Sequence, residues 1–308
     1  MQVNIENIAE PIVLCLGNFD GVHRGHQALI KSAINYGNQM GYRKALFTFE
    51  NHPTDIIKSK NIRFLQTYRQ KAKVIKSLGI DYLIYSIFDK EVMNLSPEDF
   101  IEGLMKRYNI KAFFVGFDYR FGYKAQGNIS KLKVLAEKYK AEVFVLDSVD
   151  YIDTKISSTW IRDCICSGKI TMAGDLLGRP YAIEGKVIEG IQLGRKIGFP
   201  TANIDIHTNY IIPKSGVYFT RVNLEDQSYY AVTNVGNNPT IINKPFSIES
   251  HIIDFNQNIY GTDIEIEFLE YLRGEIKFDS VDKLKEQIQK DVDYAIKAIE
   301  KTNQTLKK

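Results

Sequence analysis

The hydropathy rhythm of the chain changes once, near residue 180, and that change constrains the fold more than any other feature of the sequence. From residue 10 to about 150, short apolar runs (PIVLCLG, KALFTF, YLIYSIF, AFFVGF, AEVFVLD) alternate with segments of helical period such as HQALIKSAINYGNQMG and TYRQKAKVIKSLG, each closed by glycine. This is the βαβ rhythm of a parallel sheet covered on both faces, whose ligands sit beyond the carboxyl ends of the strands. After residue 180 the runs YAIEGKVIEG, SGVYFTRVNL, SYYAVTNVG, IESHIIDF and DIEIEFLEYL follow one another with only Gly, Asn, Asp and Pro between them. They predict an antiparallel barrel or sandwich. A closing helix is expected from near Ser280, its apolar residues Val281, Leu284, Ile288, Val292, Ala295 and Ile299 recurring at steps of three and four and packing against that barrel. A length of 308 residues suits two domains of roughly 150 each.

Charge and cysteine content narrow the surroundings. The net charge of +3 is too small to demand a polyanion such as nucleic acid, but it is unevenly placed: 25 basic against 19 acidic residues up to residue 180, and 15 against 18 after it. The basic half suits an anionic ligand. Cys15, Cys164 and Cys166 are an odd number, and their one C-x-C pair has no second cluster to complete a zinc or disulfide framework. No stretch reaches the ~18 apolar residues that span a bilayer, and the N-terminus lacks a basic leader region. The expected location is the cytoplasm, with no membrane partner.

After the first strand comes GNFDGVHRGHQALI, Gly17 to Ile30. A strand turning through glycines into a helix gathers free N–H groups and the positive end of the helix dipole, which suits phosphate. His23 and His26, three apart, can project to one face of the first turn and donate to phosphate oxygens, with Gly25 leaving room for the ligand. The same spacing also allows a surface pair, or a metal pair with Asp20 as third ligand. Neither a P-loop nor a G-x-G-x-x-G fingerprint is present. The second half holds LGRPYAIEGKVIEGIQLGRKIGFPTANI, Leu177 to Ile204, whose Gly185, Gly190, Gly194 and Gly198 permit a tight loop beside Lys186, Arg195 and Lys196. On glycines alone this is a turn on a barrel. In SIESHIIDF, strand alternation puts Glu249 and His251 on one face, away from Ile248, Ser250 and Ile252.

G-x-F-D-G-x-H-x-G-H, followed in order by FENHP (49–53), VGFDYRFG (115–122), Gly127 and ISSTWIR (156–162), resembles the nucleotidyltransferase half of prokaryotic bifunctional riboflavin kinase/FAD synthetases. G-F-P-T-A-N, then SGVYFTRV, AVTNVGNNPT, IESHIIDF and YLRGEIKFDSVDKL, resembles their kinase half. The resemblance implies a Rossmann-like α/β nucleotidyltransferase domain over residues 1–180 and an antiparallel β-barrel riboflavin kinase domain over 181–308. It implies riboflavin, FMN and ATP as substrates, with Mg²⁺. For adenylyl transfer it assigns His23, His26 and Arg162 to catalysis, and Gly17, Phe19, Asp20, Gly25, Asp118, Ser158 and Thr159 to ATP and its phosphates, the Ser158 and Thr159 hydroxyls capping a helix start. For the kinase it assigns Glu249 as general base, Gly185, Lys186, Gly194, Arg195, Pro200 and Asn203 to ATP, Thr201 and Asn203 to Mg²⁺, and Arg273 and Phe278 to the flavin. Two positions depart from the family pattern: Asn51, where F-x-P-H-P has proline, and Gly274, where an acidic residue usually follows the arginine.

Overall fold

The computed structural model describes residues 1–51, 63–190, 193–236 and 246–306. By contacts the chain divides into two compact units, Met1–Ser158 and Thr159–Lys308.

The first unit is built on six parallel strands, β1 (Gln2–Val3), β2 (Ile8–Leu16), β3 (Arg43–Phe49), β4 (Tyr82–Ser86), β5 (Tyr108–Gly116) and β6 (Glu142–Leu146), in the spatial order β1-β4-β3-β2-β5-β6. From β2 the chain runs outward through β3 and β4, then returns to add β5 and β6 on the other side. Strand order therefore reverses at β2, and the crevice beyond the carboxyl ends of β2 and β5 is where such a sheet binds its ligand. Residues Ile12–Leu16 are at most 1% exposed because alternate side chains enter different cores. Val13 and Cys15 meet Leu29, Ile30 and Ala33 of α1 (Arg24–Met40) and Ile75 of α2 (Tyr68–Ser77). Ile12 and Leu14 face the opposite layer, which holds Phe100, Ile101 and Leu104 of α4 (Pro97–Arg107) and Leu132 and Leu135 of α5 (Ile129–Glu137). The short α3 (Lys90–Asn94) precedes α4. Local chemistry sets the helix ends: Thr67 and Gln70 form a capping box for α2, Ser96 caps α4 ahead of Pro97, and Gly41 at φ 70° stops α1. A two-stranded hairpin, β7 (Asp150–Tyr151) with β8 (Thr154–Lys155), completes the unit.

The second unit is a closed barrel, which decides between barrel and sandwich. Strands β9 (Tyr181–Ile188), β10 (Ala202–Asp205), β11 (Gly216–Leu224), β12 (Gln227–Gly236), β13 (Ser247–Ile252) and β14 (Asp263–Arg273) close in the order β10-β13-β12-β11-β14-β9, with β9 pairing β10. The interior is mostly apolar, but it also holds a chain of hydroxyls at 0% exposure. Thr220 Oγ1 and Ser250 Oγ each lie 2.7 Å from Thr233 Oγ1, and Thr220 donates to the Ala231 carbonyl, so the buried polar atoms are satisfied. Helices α6 (Ser158–Ser167) and α7 (Ile170–Leu177) precede the barrel, and α7 packs on β9 and β14. A single turn, α8 (Leu193–Lys196), lies between β9 and β10. The terminal helix α9 (Val281–Leu306) lays Val292 and Ala295 on Val217, Phe219 and Val232 of the outer barrel face, as its periodicity predicts. Val281 stands 51% exposed at the helix start, outside that contact.

Candidate active sites

At the switch point of the sheet, the backbone leaving β2 is bent sharply. Phe19 (φ 49°), Gly21 (φ 76°) and Val22 (φ 40°) all take positive φ, and a β-branched residue in that region is a strained one. The bend ends at His23, which caps α1: the His26 amide donates to His23 Nδ1 at 3.4 Å. An accepting Nδ1 places the His23 proton on Nε2. The two imidazoles stack, with centroids 3.7 Å apart and planes 18° apart, and Phe19 packs edge-on to His26 at 5.3 Å. Gly25 also relieves crowding at this stack, since a Cβ there would lie 3.2 Å from the His23 ring.

Burial, then the neighbouring His23 and Lys71, hold His26 well below the ordinary imidazole value of 6.5, so it is neutral at physiological pH. Its Nδ1 is sealed from solvent and has no hydrogen-bond partner among the described residues. A buried polar atom in that condition suits a site completed by ligand.

The other residues assigned to adenylyl transfer are spread along the chain, Thr159 and Arg162 belonging to the second unit. Gly17 ends β2, its N–H donating to the Phe47 carbonyl at 3.4 Å. Phe19 and Asp20 are buried, so Phe19 forms a wall behind His26 rather than a contact surface. Asp118 lies two residues beyond β5, at the same edge of the sheet as the bend. It is exposed and ion-paired at 2.7 Å to Lys155 of β8, whose ammonium also lies over the Phe117 ring. Ser158 opens α6, but its hydroxyl donates to the Asp20 carbonyl at 3.0 Å and so braces the bend after β2. Thr159 is exposed, and Arg162, one turn on from Ser158 along α6, is half-buried. His23, His26 and Asp20 do not make a metal centre: among the described residues no three His, Cys, Asp or Glu side chains converge to hold an ion. Asn51 replaces the family proline with a clamp, its side chain exchanging two hydrogen bonds with the Phe88 backbone at 2.7 and 2.8 Å. His52 and Pro53 lie outside the described residues.

In the barrel unit, strand register assembles the site. Glu249 of β13 is paired with Asn203 of β10 on one side and Asn234 of β12 on the other. The burial pattern puts Ile248, Ser250 and Ile252 inside the barrel and Glu249 and His251 outside, as alternation predicts. Ser247 donates to Glu249 Oε1 at 2.7 Å, and His251 Nδ1 donates to the Pro200 carbonyl at 2.8 Å, tying the G-F-P-T-A-N segment to β13. The glycine loop lies against the same residues. A Cβ on Gly190 would overlap the Asn203 amide, and one on Gly194 would overlap the Phe199 carbonyl and approach Thr201 Oγ1 at 3.3 Å. Arg195, on α8, is exposed.

Other assigned residues serve the barrel frame. A Cβ on Gly185 would overlap Ile204, so that glycine permits close strand contact, and the exposed Lys186 lies level with Asp205 and Asp263 on the flanking strands. Arg273 grips Asp291 of α9 with a two-pronged pair at 3.0 and 2.7 Å, the partners being 19% and 7% exposed. Its Nε and Nη2 thereby tie β14 to α9, while Nη1 donates to the Gly274 carbonyl at 3.0 Å. Asp291→Ala should lower the stability of this unit by about 3 kcal/mol by stranding the guanidinium, read as a lower midpoint in chemical denaturation. Phe278 is half-buried between β14 and α9.

Four further residues stand at these sites without having been assigned a role. Lys71 and Thr48 sit beneath the β2 bend, Asn234 flanks Glu249, and Glu275 sets its carboxylate against Gly236, where any side chain would collide. The available signal for Lys71 was a lysine four residues before Ile75, in phase with the apolar stripe of α2.

Comparison with known proteins covers both halves of the chain. The family described as FAD synthetase matches residues 5–160, and the one described as riboflavin kinase matches 177–299. A bifunctional riboflavin kinase/FMN adenylyltransferase of Listeria monocytogenes is 37% identical over 91% of this chain and 90% of its own, and one of Buchnera aphidicola is 38% identical over 94% and 95%. A crystal structure described as a macrolide-efflux protein from Streptococcus pneumoniae shares the fold end to end, with TM-score 0.86, 32% identity, and coverage of 95% of this chain and 97% of that one. No helix among the described residues is long and apolar enough to cross a membrane. Since both halves match in the order in which these relatives carry them, over more than nine-tenths of the length, the chain belongs to the bifunctional riboflavin kinase/FMN adenylyltransferase family.

Proposed function

We infer that this one polypeptide phosphorylates riboflavin to FMN with ATP, then transfers AMP from a second ATP to FMN, giving FAD and pyrophosphate. Residues 181–308 would carry the first step and residues 1–180 the second, with the I-S-S-T-W-I-R helix serving the second even though α7 packs on barrel strands. The three cysteines are free and two are buried, which suits the reducing cytoplasm.

The two steps ask for different chemistry. The 5′-hydroxyl of riboflavin is neutral and must lose its proton as it attacks the γ-phosphorus, so a carboxylate base is needed, and Glu249 supplies it. What supports this role most directly is the register that sets Glu249 between two asparagine side-chain positions, next to the glycine loop. The phosphate of FMN is already anionic, so its attack on the α-phosphorus needs no base. That site has to align two repelling phosphates and offset their charge. The His23 Nε2–H, the neutral His26 and the permanent charge of Arg162 suit this, and the strained bend after β2 holds the imidazoles in place beforehand.

Thr201 and Asn203 fit Mg²⁺ as hard, neutral oxygen donors, and the glycine backbone at Gly190 and Gly194 lies close against them where a Cβ would collide. The cation, when bound, would draw charge from the phosphate oxygens. Chelation should stop formation of both products and added Mg²⁺ should restore it. The test of the whole reading offers riboflavin and FMN separately with ATP and Mg²⁺ and resolves the products chromatographically. Accumulation of FMN without FAD would reduce the assignment to a kinase alone.

A further inference from the structure

The first unit carries a buried cation that none of the assigned roles uses. Lys71, on the inner face of α2, is 7% exposed. Its ammonium donates to the Asn18 carbonyl at 3.0 Å, the Phe49 carbonyl at 3.2 Å and Thr48 Oγ1 at 3.4 Å, which uses all three of its protons. Thr48, at 0% exposure, donates to the same Asn18 carbonyl at 2.9 Å. Asn18 and Phe49 lie where the backbone leaves β2 and β3, adjacent strands at the switch point of the sheet.

We propose that Lys71 is a positioning residue of the adenylyl-transfer site, joining the exits of β2 and β3 so that the bend through Phe19 and Val22 stays strained and aims His23 and His26 at the phosphates. The inference rests on the adenylyltransferase reading of this unit.

Three observations support it. First, the fold alone gives little reason for a charge here. Lys71 shares its helix face with Ile75, and an apolar side chain would extend that stripe without the cost of desolvating an ammonium. Second, the segment it holds has two non-glycine residues at positive φ, a state that persists only where surrounding contacts over-determine it. The hydroxyl of Ser158 holds that segment from the Asp20 carbonyl and Lys71 holds it from Asn18, one residue before Phe19. Third, carbonyls at the carboxyl ends of parallel strands present partial negative charge to the crevice where phosphates must sit. An ammonium bonded to two of them offsets that charge from beneath.

The same placement supplies a test. Burial brings the Lys71 ammonium down to about 8, opposed by the charge of Asp20. Among the described residues, the groups facing it are Asp20 on the bend and the neutral His26 on α1, while β3 contributes an uncharged hydroxyl and a carbonyl. FAD formation from supplied FMN and ATP should be followed from pH 6.5 to 9.5 in the full-length wild type, Lys71→Met and Lys71→Arg, with FMN formation from riboflavin measured on the same preparations.

The wild type is expected to lose FAD-forming kcat on the alkaline side, with an apparent pKa near 8. Lys71→Met should lower kcat about 100-fold with a much smaller change in KM for ATP and no alkaline limb, while FMN formation is unaffected. Lys71→Arg should recover at least a tenth of wild-type kcat and carry the limb above pH 9.5, since a guanidinium keeps its proton there. A lysine with a merely structural role would change the yield of folded protein without moving that limb. If Lys71→Met does not fold, the limb of Lys71→Arg decides the matter. Retention of more than half the wild-type kcat in Lys71→Met, or an alkaline limb still near pH 8 in Lys71→Arg, would overturn the proposal. Absence of FAD formation in the wild type would instead overturn the adenylyltransferase reading.

Discussion

Glu249→Ala should abolish FMN formation, with kcat falling by about 10²–10⁴-fold, while FAD formation from supplied FMN stays within about twofold of wild type. The large effect follows from the nucleophile. An alcohol is a poor attacking group until its proton leaves, and the carboxylate beside Asn203 and Asn234 is the group proposed to take it. Glu249→Gln separates this from packing: the amide oxygen can still accept from Ser247, yet the side chain cannot take up a proton. It should therefore lose nearly as much kcat as the alanine variant, with KM for riboflavin and ATP changing little. Steady-state rates with each substrate offered alone check this. Equal loss of both activities would contradict two independent sites.

His26→Ala should do the converse, lowering FAD formation by about 10²–10³-fold and leaving FMN formation intact. Here the loss comes from transition-state charge left without a hydrogen bond, and from the stacked His23 ring losing its neighbour. The buried ring also has a signature in stability. Its pKa in the folded chain lies well below the ordinary 6.5, so the unfolded chain takes up the proton first as the medium is acidified. This contribution is whole above about pH 6.5 and is lost as the pH falls from there toward the folded value. Chemical denaturation between about pH 7 and 5 should show the wild type losing more stability than His26→Ala. If the two fell in parallel, the ring would not be buried in its neutral form.

The two sites differ in how they are stiffened. The bend after β2 is held by side chains that reach backbone carbonyls, Ser158 to Asp20 and Lys71 to Asn18 and Phe49. The site proposed for the kinase is held by strand pairing, with Glu249 kept in register by the ladders on both sides and by the Ser250–Thr233 hydroxyl contact inside the barrel. A slip of one residue in β13 would carry Glu249 into the barrel and expose Ile248 and Ile252. The buried hydroxyls, which pair only in the observed register, oppose that slip.

The linear order of residues was enough to place the main strands, the first helices and the terminal helix. Apolar runs buried on both faces read as parallel strands, glycine-closed periodic segments read as α1 and α2, and alternation in I-E-S-H-I-I placed Glu249 on the outer face, because these patterns depend on neighbours within a few positions. Contacts between distant positions were decided only by the tertiary structure. Closure of the barrel depends on β9 meeting β10, and the pairing of Arg273 with Asp291 depends on α9 returning across β14. Gly25 serves the histidine stack, and Lys71 reads as one more surface lysine until α2 docks and puts it beneath Asn18. Burial, and with it the protonation and role of a charged side chain, is a property of what lies across the fold from it, and the local pattern of a sequence does not contain that information.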